Sequence, residues 1–268
     1  MNNLLFDFIK YIGKPKYYID NPNLTKRDKS LKTFKLTSWS LLAGIISSLI
    51  LVIALKLANY QGENAVVELS KNEPLIIIFI TAVVLAPIIE EFVFRLALKF
   101  RPSYLSIMSF IILFMIVPSY ASFFPKTIIF ELLYLVLCIV LSLILFMLIR
   151  IKRINSFISN IYINHFRWIF YLLTILFSLS HIQNYNNLLS VFYLIPILGL
   201  PQLFFSFSNS YIRMNYGFIY AIAAHSLFNL SLTIPTLLPL PGTILLLFIL
   251  GYGFLIIIQD IFNFIKKN

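Results

Sequence analysis

Residues 75–98 read LIIIFITAVVLAPIIEEFVFRLAL. As a helix, a stretch of this length is about 36 Å long, enough to cross roughly 30 Å of hydrocarbon. The stretch therefore reads as a membrane span. Three ionisable side chains, Glu90, Glu91 and Arg95, nevertheless fall inside it. A charge at the centre of a bilayer costs at least ~2.5 kcal/mol on insertion scales, so each of the three needs a functional or a pairing account.

The rest of the chain has the same character. Of its 268 residues 60% are hydrophobic and only 12% are charged, whereas a soluble domain carries about a quarter charged residues. Apolar runs long enough to span recur at about 37–58, 75–98, 103–120, 127–149, 168–182, 189–209, 215–232 and 241–262. The expected fold is an all-α polytopic membrane protein of about eight transmembrane helices. The fifth run is short, so it starts earlier or ends in a water-filled cavity. No internal repeat divides the chain. A basic N-terminal segment, 1–36, precedes a single transmembrane domain, 37–268. Residues 4–12, LLFDFIKYI, read equally as a short interfacial helix or an ordinary tail. The first apolar run begins too late and is too long for a cleavable signal peptide.

The formal net charge of +11 is unevenly placed. Seventeen of the 21 Lys and Arg fall in the N-terminal segment, the tail and the loops on one side, three lie on the other, and Arg95 lies within a span. By the positive-inside rule both termini are cytoplasmic. The charge then reports topology and attraction to anionic lipid, and nucleic acid is not an expected partner. The expected location is a cell membrane, crossed many times. The Ile-, Asn- and Lys-rich composition suits a bacterial inner or plasma membrane.

Several polar features have plain explanations. Cys138, the single cysteine, reads as a small buried hydrophobe. Gly251-Tyr252-Gly253 resembles a potassium filter but lacks its preceding Thr-Val, and reads as a helix-packing site. Glu131 reads as an interfacial or packing carboxylate, and His165, in the basic loop between the fourth and fifth runs, as an interfacial residue.

Glu91 and Arg95 are one helical turn apart, in the favourable order for a pair. That pairing leaves Glu90 unexplained, because adjacent helical residues point about 100° apart. Pro87 removes a backbone hydrogen bond just before it. His181 and His225 also lie inside spans, with Phe177 one turn before the first and Asn229 one turn after the second. Glu90, His181 and His225, on three spans, invite a shared water-accessible pocket. A carboxylate beside a neutral imidazole takes a proton from water. A second imidazole and a carboxamide supply donors for a developing oxyanion. Together they form a kit for water attack on an amide, without a cofactor. A zinc or other divalent ion held by Glu90, His181 and His225 is the competing kit. Other routes lack their parts: the chain has no HExxH, no GxSxG and no Asp within a span except Asp260 at its end.

Glu90-Glu91-x-x-x-Arg95, Phe177-x-x-x-His181 and His225-x-x-x-Asn229 resemble, in order, the three motifs of the CAAX-protease and bacteriocin-processing (Abi) family. The resemblance covers residues 75–232. It implies an eight-helix intramembrane endopeptidase with its site open to the cytoplasm. In that scheme Glu90 activates water, His181 assists, and His225 and Asn229 form the oxyanion hole. Glu91, Arg95 and Phe177 support the site. The implied partner is a membrane-associated peptide or protein substrate. Bacterial members are tied to bacteriocin self-immunity, pheromone processing and envelope functions, and some members were long described as metalloproteases. The alternatives from other classes are a non-catalytic immunity or scaffold protein and a proton-coupled transporter.

Overall fold

The computed structural model describes residues 4–17, 24–60, 62, 73–119, 127–186 and 188–266. The elements are α1 (Leu4–Gly13), α2 (Lys26–Leu57), α3 (Leu75–Leu98), α4 (Pro102–Ser119), α5 (Ile128–Arg150), α6 (Lys152–Ser180), α7 (Leu200–Asn215), α8 (Phe218–Leu237) and α9 (Pro239–Ile265). Among the described residues there is no strand. Among the described residues seven helices are long and apolar enough to cross a membrane, and α4 is a shorter apolar helix. The protein is all-α and polytopic, as the composition requires. Most of the expected first loop and residues 120–126 lie outside the described residues.

The helices run up and down between two ends. At the end where the cations collect, Phe8, Leu36, Leu98, Phe166, Phe170, Tyr211, Met214, Tyr216 and Ala221 form one apolar layer. A middle layer joins Leu41, Phe177, Phe205, Phe228 and Ile249. Leu51, Ile182, Val191, Leu194 and Leu198 form a third at the cation-poor end, where the Tyr60 hydroxyl donates to the Asn186 carbonyl. Large apolar side chains elsewhere face outward. On α5 only Cys138, Ser142 and Ile149 are buried. Here the buried residues are mostly small ones, as helix contacts in lipid require. Ser106 Oγ donates to the Ser142 carbonyl at 2.6 Å across this contact.

Three span boundaries differ from the hydropathy reading. Helix α2 begins at Lys26, not 37, because Thr25 and Asp28 form a capping box: Asp28 N donates to Thr25 Oγ1 at 3.1 Å and Thr25 N to Asp28 Oδ2 at 3.2 Å. The division at 36/37 therefore falls inside a helix. Residues 4–13 are helical and bury Leu5, Phe8 and Tyr11 against the bundle. Asp260 Oδ2 of α9 accepts from Leu5 N at 2.9 Å and so caps that helix. Helix α6 starts at Lys152 and kinks at His165 (φ −117°, ψ 19°). The short fifth span is thus the far end of a longer helix, and His165 sits at its kink instead of in a loop. The sixth span extends to Asn215, with Pro196, Gly199 and Pro201 breaking its start into short helical turns. Gly217, at φ 120°, makes the tight link from α7 to α8.

Candidate active site

The site begins with an irregularity in α3. Residues Ile80–Leu85 are wound as a π-helix, and the Ala86 N–H reaches the Thr81 carbonyl, five residues back. In that register the next donor, to the Ala82 carbonyl, belongs to residue 87. That residue is proline and has none. Asn229 Nδ2 of α8 fills the gap, donating to the Ala82 carbonyl at 2.7 Å. A π-turn in a helix is a frequent mark of a functional site. Here it widens α3 just before the carboxylates and ties it to α8.

Glu90 and Glu91 then diverge. Glu91 is fully buried, and Glu90 keeps 26% of its side-chain exposure, in a cavity. Glu90 Oε2 lies 3.7 Å from His181 Nε2 and 3.7 Å from His225 Nε2. The three side chains come from α3, the C-terminal cap of α6, and α8. Both imidazoles are anchored through their other nitrogen. His181 Nδ1 lies 2.9 Å from the Phe177 carbonyl, one of those that a helix end leaves without an intrahelical partner. His225 Nδ1 lies 2.8 Å from Glu91 Oε1. Both acceptors call for an N–H at Nδ1, which turns each Nε2 toward Glu90. Glu90 Oε2 is buried and has no hydrogen-bond partner among the described residues.

Glu91 therefore does more than pair with Arg95. Its Oε1 lies 3.5 Å from Arg95 Nη1 and holds His225 as well. Arg95 is fully buried, its guanidinium 3.8 Å from the centroid of the Phe177 ring. Arg95 Nη2 donates to Ser206 Oγ at 3.1 Å, and Ser206 Oγ donates to the Thr174 carbonyl at 3.0 Å. Phe177 lies between this charged core and the cavity, with the His181 ring 4.7 Å and the His225 ring 5.8 Å from its own. All seven residues singled out in the sequence are thus brought together.

Three contributors do not stand out in the motifs. Ser206 accepts from Arg95, the Phe205 ring lies tilted against His225 with centroids 4.7 Å apart, and Arg213 Nε donates to the Arg95 carbonyl at 3.0 Å. The charge count places Arg213 in a loop, but it is buried in the last turn of α7. The polar run SFSNSYIR at 206–213, unusual for a span, is the signal that points to it.

The cavity, about 620 Å³, is lined by α3, α4, α6, α7 and α8. Glu90, His181 and His225 are the ionisable side chains among the described residues that line it. Its donor types suit a divalent metal, and anchored imidazoles are what metal sites use. Among the described residues no group of three or more His, Cys, Asp or Glu is arranged to hold a metal ion, although Glu90 Oε2 lies 3.7 Å from each imidazole Nε2.

No protein-family model matches the chain, and no curated protein or solved structure matches it either.

Proposed function

We propose that the protein is an intramembrane endopeptidase that uses Glu90 to activate water. The observation that carries this reading is the convergence of Glu90, His181 and His225 on one cavity, with Glu90 Oε2 lacking a hydrogen-bond partner among the described residues. A water on Oε2 gives up a proton to the carboxylate as its oxygen bonds to the scissile carbonyl carbon. The carbonyl π electrons move to the oxygen. When the C–N bond breaks, the proton passes to the leaving nitrogen, with His181 Nε2 able to share the transfer. No covalent enzyme intermediate is required.

The oxyanion would be met by Asn229 and His225. Asn229 Nδ2 carries two hydrogens, and the Ala82 carbonyl takes one. His225 donates from Nε2 only as the imidazolium, because Nδ1–H serves Glu91. With a neutral ring, Asn229 is the donor that remains. The substrate class is a membrane-associated peptide, and the positive-inside pattern supports both termini in the cytoplasm.

The test is turnover of a peptide mixture by purified protein in detergent. Glu90→Gln keeps the shape and removes the base, so cleavage vanishes. Activity persists with chelator present. Complete inhibition by chelator, reversed by zinc and accompanied by near-stoichiometric metal, would replace this mechanism with a metal-bound water.

A further inference from the structure

We infer that the cavity admits substrate from the cation-poor end of the bundle, and that it takes an internal, uncharged and mainly apolar peptide segment. This rests on the proposed chemistry for the word substrate, but the direction of entry rests on geometry alone. The helices that carry the three reacting groups contribute residues from Glu90, His181 and His225 toward the same end. On α3 the lining runs from Phe94 back to Ala82, on α6 from Phe177 on to Asn184, and on α8 from His225 on to Thr233. Ile112 and Met115 lie late in α4. Each of these directions points away from Lys99, Arg101, Lys152 and Arg213, which mark the other end.

Burial follows the same gradient. Phe177, Phe205 and His225 at the floor are at most 2% exposed. Behind them Leu98, Phe170, Ile212, Met214 and Ala221 close the basic end as a packed layer. Toward the other end Gln183 is exposed, and Met115 and Ile89 are 50% and 38% exposed. The resemblance implies a site open to the cytoplasm, and the charge pattern puts the cytoplasm at the basic end. The cavity faces the opposite way.

The lining selects the segment. Ala82, Ala86, Ile89, Val93 and Leu232 suit apolar side chains, while Gln183, Gln202 and Thr233 offer neutral polar contacts. No Lys or Arg is among the described residues that line the cavity. A free terminal carboxylate would find no cation among them and would face Glu90. From Thr233 to His225 is roughly 12 Å of helix, the length of about four residues of extended chain.

Cysteine accessibility tests the direction without needing turnover. Gln183→Cys, Thr233→Cys and Ser156→Cys are made singly in a Cys138→Ala background and treated with a membrane-impermeant maleimide, in sealed cells and in inverted vesicles. Ser156 is exposed at the basic end of α6 and marks that side. Gln183→Cys and Thr233→Cys should label from the side opposite Ser156→Cys. Labelling from the same side as Ser156→Cys, or from neither, would overturn the inference. A second arm uses a cleaved peptide and its versions ending at the fourth residue past the cut, as acid and as amide. The amide should be cut at least tenfold faster than the acid, and equal rates would overturn the choice of an internal segment. Loss of all turnover with labelling intact would count against the proposed chemistry and leave the direction standing.

Discussion

Glu91 carries two duties on one oxygen: it faces Arg95 Nη1 at 3.5 Å and holds His225 Nδ1 at 2.8 Å. Removing one partner of a buried pair leaves an uncompensated charge, at a cost of about 3–5 kcal/mol. Glu91→Gln and Arg95→Met should each lower folded yield and melting temperature. The double variant should regain part of that stability. It should not regain activity, because a carboxamide in place of the Glu91 carboxylate is a weaker acceptor for the His225 proton. A double variant as unstable as the worse single one, in thermal melts of purified protein, would argue against the pair. Asn229 also has two candidate duties. Asn229→Ala strands the Ala82 carbonyl and should cost about 1–3 kcal/mol of stability. If its second N–H also meets the oxyanion, kcat per folded molecule should fall roughly 10²–10³-fold with KM nearly unchanged. A lowered melting temperature with kcat intact would leave Asn229 a purely structural role.

At the scale of elements, glycine decides how closely two helices approach. A Cβ on Gly253 would lie 2.6 Å from the Ser38 carbonyl oxygen and 2.9 Å from its carbon, whereas one on Gly251 would meet nothing within 4 Å. Gly253→Ala should push α9 off α2 and cost about 1–3 kcal/mol, as overpacking does. Gly251→Ala should be neutral or stabilising by up to roughly 1 kcal/mol. Melting temperatures that shift in opposite directions check this; equal shifts would contradict it. The Gly-Tyr-Gly string is legible in the sequence as a packing site. Which glycine packs is not, because that depends on the crossing of α2 and α9. The spans are legible for a different reason, since hydropathy over about 20 residues is a local property. The helical starts at Lys26 and Lys152 are not, because polar and amphipathic turns dilute the hydropathy there. The site divides the same way. Three intramembrane ionisable groups and their one-turn partners stand out residue by residue. The bond from Asn229 to Ala82 needs the π-turn, and the Glu91–His225 bond needs the packing of α3 on α8.

For the whole molecule, the outward face is apolar and suited to lipid, and polar groups concentrate inside around Arg95 and Glu90. That inversion is what a multi-pass protein needs if its chemistry is buried within the bundle. It places Glu90, His181 and His225 between an apolar floor at one end and a cavity toward the other. The central claim is that Glu90 makes this cavity hydrolytic. The most direct measurement is quantitative sequencing of new peptide termini in membranes of cells making either the wild-type protein or Glu90→Gln at equal abundance. At least one membrane-associated peptide should carry a new terminus with wild-type protein and lose it with Glu90→Gln. Identical sets of termini from the two, with both proteins folded and inserted, would contradict the account.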